Sequence, residues 1–168
     1  MLNQHISYQT FLEQQKQSRY KLSLYVLVDG LEYERLFQKE IIQDKNTLPL
    51  FIRPNNKEVA FAGPWLIDIM QVDKNVQNSL LQLEKTYPSV MWLISILSLD
   101  YLFNQLENQL HLQLPNKRNA LLRYYDPRVL NKLQNVLTPK QFKLFTLNII
   151  DWIYFHNNHY YSLIKGKL

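Results

Sequence analysis

Cysteine is absent from this 168-residue chain, which removes disulfides, thiolate nucleophiles and cysteine metal ligands together. Glycine is nearly absent. Gly30, Gly63 and Gly166 stand alone, so no cluster exists from which a phosphate-binding or dinucleotide-binding loop could be built. Long apolar runs are missing as well: the longest, Val90 to Leu97, is interrupted by Ser95 and falls far short of the roughly 20 residues a membrane helix needs. The opening MLNQHISYQT lacks the basic-then-apolar layout of a secretory signal. These absences lead to the expectation of a cytoplasmic protein that makes no use of a membrane, a nucleotide fold or thiol chemistry.

What is present is core-forming material. With 46% hydrophobic and 13% aromatic residues the chain has enough to fill one domain, and its length suits one. The formal charge of +5 comes from 19 Lys and Arg against 14 Asp and Glu, but the cations are scattered. Positions such as Lys16, Arg19 and Lys21, or Lys117 and Arg118, read as solvated edges of elements, and no nucleic-acid partner is expected.

Periodicity lays out an α/β order. Ile6, Phe11 and Leu12 mark a helical extension over residues 1–20, KLSLYVLVDG reads as a strand leaving through Asp29-Gly30, and Tyr33, Leu36, Phe37 and Ile41 fall at helical spacing after it. Residues 46 to 64, with Pro49, Pro54 and Pro64, suit an irregular strand-and-turn segment before the short strand WLIDIM. A helix through Val76, Leu80, Leu81 and Leu83 must stop before Pro88. VMWLISIL then has the continuous apolar character of a strand covered on both faces, the expected centre of the sheet. Ser98 is placed to cap a helix from about Leu99 to Leu112, and Pro115 to Asn119 form a turn. The fold expected is a single α/β domain, a mixed β-sheet flanked by helices.

The stretch LLRYYDPRVL concentrates two arginines, two tyrosines and an aspartate around one Asp-Pro step. Read as a strand through Asp126, it turns Arg123 and Tyr125 to one face and Tyr124 and Asp126 to the other. Asp126 is a strong N-cap and Pro127 suits the first helical position, with Val129, Leu130 and Leu133 as the buried stripe behind them. Thr138 with Gln141 is a capping box that opens the next helix. Capping leaves Arg123 and Arg128 unexplained, because a cation in a helix's first turn opposes the dipole unless a carboxylate sits beside it. Ion pairs drawing on Asp29 and Asp126 are the expected solution; a partner-facing surface is the alternative.

YVLVDG, PLF with the later GPWLIDI, the Ser-Leu helix ending in QLHLQLP, and LLRYYDPRVLNKL followed by LTPKQ resemble the DUF4123 family, in order over roughly residues 22 to 155. Members act as adaptors or chaperones of bacterial type VI secretion. The resemblance implies a protein with no catalysis and no cofactor, which binds one toxin effector through that effector's N-terminal region and helps load it on the secretion spike, itself a further partner. Set against the family pattern, most of a C-terminal helical lobe is expected to be missing, and Lys117-Arg118-Asn119 stands where a glycine turn is usual.

The tail DWIYFHNNHYYSLI reads as an aromatic β-hairpin over residues 150–168, turning at Asn157-Asn158. Its aromatics suit either a core edge or a docking edge. The candidate partner-binding residues are therefore Arg123, Tyr124, Tyr125, Asp126 and Arg128, with Trp65, Trp152 and Tyr154 added. His156 and His159, near the hairpin tip, are expected to be exposed rather than metal ligands, and no metal site is expected. Two other functions stay open on the residues alone: a small metal-dependent hydrolase or nuclease using Asp29 and Asp126, and a basic nucleic-acid module.

Overall fold

In the computed structural model, residues 1–113 and 117–168 are described. A 3-10 turn, Leu2–Gln4, leads into α1 (Ile6–Gln17), followed by β1 (Ser23–Asp29), α2 (Gly30–Phe37), β2 (Thr47–Pro49), a 3-10 segment (Lys57–Ala62) and β3 (Pro64–Asp68). Next come α3 (Lys74–Thr86), β4 (Val90–Ser95), α4 (Leu99–Leu110), β5 (His111–Gln113), β6 (Asn119–Leu121), α5 (Pro127–Val136) and α6 (Pro139–Phe145). The chain closes with β7 (Ile149–His156), β8 (His159–Ser162) and β9 (Gly166–Lys167). Seven strands form one sheet in the order β2-β3-β1-β4-β7-β8-β9, and β5 with β6 makes a separate ribbon.

The α/β class and the flanking helices are as the sequence leads one to expect. The sequence also suggested mixed pairing; among the described strands each pair is antiparallel, because each strand enters the sheet from the end opposite its neighbour. β4 is the fourth of seven strands and every residue in it is buried, which is why its apolar run has no polar alternation. Met91 and Leu93 face a core with Leu102, Leu106, Leu130 and Phe145 from α4 to α6. Trp92 and Ile94 face the opposite core with Tyr33, Leu80 and Leu83 from α2 and α3. Burial of one such large apolar side chain contributes about 1.5–3 kcal/mol.

Helix starts follow their caps. Asp29, Asp73, Asp126 and Thr138 each accept a backbone N–H of the first turn, and Thr138 with Gln141 closes the full capping box. Ser98 holds the N-cap position of α4, yet its hydroxyl makes no capping bond. Two helices stop earlier than their apolar spacing suggested. The helix α2 ends at Phe37 because Gln38 turns left-handed, with φ of 52°, leaving Ile41 beyond it, and α4 ends at Leu110 where the chain extends into β5. The hairpin turns at Asn157 and Asn158, both at positive φ, the geometry that matches strand twist.

The sheet edge at β2 offers no free backbone N–H at Thr47 or Pro49. Asp68 N–H donates to Asn46 O and Leu50 N–H to Pro64 O, which places Thr47 and Pro49 outward. Thr47 N–H is taken by Asp44 O, and proline has no N–H to offer.

Candidate functional site

The Arg-Tyr-Tyr-Asp-Pro-Arg stretch lies where α5 meets the end of β1. It is not a strand beyond Leu121. The partner strand β5 is three residues long, so the ladder ends there, and Tyr124 N–H to Leu122 O at 2.9 Å and Asp126 N–H to Arg123 O at 3.0 Å then fold the chain into turns. The consequence reverses the expected alternation: Tyr124 and Tyr125, although consecutive, are both buried. Strand geometry would have sent them to opposite faces.

Tyr124 is wholly enclosed, donates its hydroxyl to Leu106 O at 2.6 Å, and meets the rings of Phe145 and Trp152 edge-on, each at 5.6 Å. Burial pushes its phenol well above the ordinary value. Tyr125 packs edge-on against Phe51 at 6.4 Å, and the Arg123 guanidinium stands 5.5 Å from its ring centroid. Its phenol is also raised, mainly by burial.

Both arginines find carboxylates. Asp126 Oδ1 accepts the Arg128 backbone N–H at 2.8 Å and its Nε at 2.9 Å, while Oδ2 accepts Nη2 at 2.7 Å. Burial alone would raise the Asp126 carboxyl, but Arg128's side-chain and backbone hydrogen bonds and its charge outweigh it, and the group is held below its usual range. Asp29 Oδ1 accepts Leu31 N–H at 3.0 Å, and its Oδ2 lies 3.7 Å from Arg123 Nη2. Here burial dominates and raises the carboxyl despite that cation and two backbone hydrogen bonds. The carboxylates are buried while the arginine side chains are 57% and 62% exposed, so the arginines supply the surface of this joint. Among the described residues, Arg128 Nη1 has no partner. It borders a cleft of about 310 Å3 shared with Lys85, Tyr87 and His156.

The domain-family model that matches this chain is described as Domain of unknown function (DUF4123), and the match spans residues 24–144, which includes the whole arginine-tyrosine motif. The chain belongs to the DUF4123 family. No curated protein and no solved structure matches it.

The DUF4123 span begins in β1 and ends in α6, so α1 and β7 to β9 lie outside it, although β7 pairs with the central β4. Where the family pattern would place a glycine turn, Lys117 itself takes φ of 61°, the left-handed conformation that glycine would adopt without strain. Pro115 and Asn116 of that expected turn lie outside the described residues.

The other candidates are not brought to this surface. Trp65, Trp152 and Tyr154 are 4%, 0% and 3% exposed, as buried as Tyr124, Tyr125 and Asp126, so none of these six candidates is an accessible contact in this structure. Trp65 donates Nε1 to Phe61 O at 3.2 Å, Trp152 stacks on Phe145 at 5.2 Å, and Tyr154 donates to Asn131 Oδ1 at 2.9 Å. An aromatic hairpin beside the central strand packs inward, because β7 is an interior strand of the sheet. His159 is exposed and His156 half-buried. Among the described residues no three His, Asp or Glu side chains are grouped to hold a metal ion, and no helix is long and apolar enough to cross a membrane.

Two polar clusters were missed. Glu107 takes Arg53 in a bidentate pair at 2.6 and 2.9 Å, with His111 at 3.0 Å. Glu84, buried, accepts Trp92 Nε1 at 2.7 Å, Tyr160 OH at 2.9 Å and His5 Nε2 at 2.8 Å. A tryptophan inside a strand covered on both faces was the available signal, since a buried indole N–H usually finds an acceptor, as that of Trp92 does and that of Trp152 does not.

Proposed function

We propose that this DUF4123 protein is a cytoplasmic adaptor that grips one toxin effector of bacterial type VI secretion, through that effector's N-terminal region, and passes it to the spike by non-covalent binding alone. The observation that carries the reading is the division of labour within one motif. Its tyrosines and aspartate are buried as a scaffold, while its two arginine side chains are more than half exposed, Arg128 hydrogen-bonded to Asp126 and Arg123 standing 3.7 Å from Asp29. The Arg128 guanidinium, already fixed by Asp126, loses little side-chain freedom on binding. The type VI assignment rests on the family resemblance. Asp29 and Asp126 each cap a helix and pair with an arginine, which favours binding over acid-base chemistry on these two residues.

The test is affinity purification of the tagged chain from its native bacterium with nuclease present, followed by reconstitution with the recovered protein's N-terminal region. The expected result is one large toxin-like protein, bound by the wild type and lost with Arg128→Glu while the thermal unfolding midpoint shows that the variant remains folded. Undiminished binding by a folded Arg128→Glu chain removes Arg128 from the interface. A toxin secreted equally well without this chain removes the adaptor role.

A further inference from the structure

The helix α1 covers the sheet with an ill-suited face. Ser7 is its one fully buried residue, and the Ser7 hydroxyl has no hydrogen-bond partner. Gln14 gives Nε2 to the buried Asp151 at 2.9 Å, but its Oε1 is enclosed without a partner. A buried polar atom left unpaired costs about 1–3 kcal/mol, and an apolar side chain at either position would not carry that cost. The segment is held by contacts of both kinds: Leu2 belongs to the core on this side of the sheet and the partly buried Tyr8 and Phe11 pack against it, while His5 Nε2 lies 2.8 Å from Glu84 and 3.0 Å from Tyr160 OH, with its ring 4.4 Å from that of Trp92. Two cavities open beside its start. One of about 320 Å3 lies between Met1, Leu2, Tyr8 and α3, and one of about 690 Å3 between Gln4, His5 and Tyr160.

The surface beneath is the reverse of its cover. The core on this side of the sheet includes Leu24, Trp92, Ile94 and Ile153 from three adjacent strands. It already holds a helix of 12 residues, so its shape and length suit one. The segment before Leu24 is also outside the family match, so the matched fold does not itself specify this cover.

We infer that the seat of α1 is an exchange site: a partner's amphipathic helix, apolar where α1 presents Ser7 and Gln14, displaces α1 and docks on the sheet. The helix-in-groove mode places apolar side chains at three- and four-residue spacing on such a surface. The inference rests on reading the chain as an effector-binding adaptor, and names the chemistry of the segment it would take. Because the helix itself places only the partly buried Tyr8 and Phe11 on that core, it opens without global unfolding.

The absence of cysteine makes the test direct. Ser7→Cys and Ser89→Cys each create the single thiol of the chain at a site of 0% exposure, Ser89 lying at the joint between α3 and β4. Labelling by a thiol reagent in the intact folded protein is expected to be at least about tenfold faster at position 7 than at position 89. It should accelerate further, and saturably, with a synthetic peptide of residues 1–20 carrying Ser7→Leu and Gln14→Leu. Equal rates at the two positions, with the same denaturant dependence, overturn the inference because α1 then opens only with the whole fold. Fast labelling that the peptide leaves unchanged overturns the docking seat. An effector bound through Arg128 with neither effect at position 7 removes the seat and leaves the adaptor reading standing.

Discussion

Two joints in this molecule use the same device and reach opposite electrostatic states. At Asp29-Gly30, where β1 ends, and at Asp126-Pro127, which follows a pair of turns, the aspartate caps the helix that follows and an arginine supplies the countercharge. Both carboxylates are nearly closed to solvent, with Asp29 set deeper among protein atoms than Asp126. Yet Asp29 is raised and Asp126 lowered from the same ordinary value. Depth is one difference, and the arginine's reach is the other. Arg128 grips Asp126 with hydrogen bonds as short as 2.7 Å, while Arg123 stands 3.7 Å from Asp29 and also covers the Tyr125 ring. Burial sets the direction until hydrogen-bonded charge overrides it.

The joints differ again in the residue after the aspartate, and the largest effect is expected there. A Cβ on Gly30 would lie 2.0 Å from Phe61 O, 2.7 Å from Trp65 Nε1 and 2.8 Å from Gly63 O, two of them backbone atoms that cannot swing aside. Gly30→Ala is expected to destabilise by about 3 kcal/mol, the upper end of overpacking costs. Pro127→Ala, at a first helical position where the missing N–H is not needed, is expected to cost less than about 1 kcal/mol. Urea unfolding of the two variants checks this, and equal losses would break the contrast.

Removing the aspartates should rank next. Asp126→Ala loses a cap worth about 1 kcal/mol together with a bidentate partner for Arg128, whereas Asp29→Ala loses a cap but also the cost of a buried carboxylate that is weakly paired. The expected outcome is that Asp126→Ala is the less stable of the two by about 1 kcal/mol, read from denaturant midpoints at neutral pH.

Much of this arrangement is legible in the sequence because caps are local. Asp126 with Pro127, Thr138 with Gln141, and Asn157-Asn158 each act within three residues, and the structure places all of them as read. β4 was legible for a different reason: burial on both faces removes alternation altogether. The path of residues 122–126 was not, since it depends on where the ribbon β5–β6 runs out and on a core that needs both tyrosines. The fate of Trp65, Trp152 and Tyr154 was equally hidden. The same aromatic composition suits a core or an interface, and strand order decides which. His5 and Glu84 are separated by 79 residues, beyond any local pattern. The ion pairs of Arg123 and Arg128 were inferred from the helix dipole before their partners could be assigned.

The opposite shifts predict opposite pH dependence. For Asp126 the folded value lies below the ordinary 3.8, so its contribution is complete above that value and is lost as pH falls through the folded value. For Asp29 the folded value lies above 3.8, so the folded state prefers the protonated acid, and this contribution is present below 3.8 and lost as pH rises through the folded value. Comparison of unfolding midpoints between about pH 3 and 6 should show Asp126→Asn removing part of the loss of stability on the acid side. Asp29→Asn should remove part of a decline on the alkaline side of 3.8.

The smallest effect expected is that of Asp29→Asn at neutral pH, and it is the sharpest test of why the joints differ. Asparagine is as good an N-cap as aspartate, so the bond from Leu31 N–H is kept. The variant loses a countercharge 3.7 Å from an arginine that is more than half exposed, an interaction that solvent weakens. It also loses the cost of ionising a buried acid. These terms oppose each other, and the net change is expected within about 0.5 kcal/mol of the wild type. Asp126→Asn keeps its cap too but gives up short charged hydrogen bonds, so it should be clearly destabilising. If the two asparagine variants lose the same stability at neutral pH, the arginine's distance is not what separates the joints, and the lowered state of Asp126 must come from the surroundings of α5 rather than from Arg128.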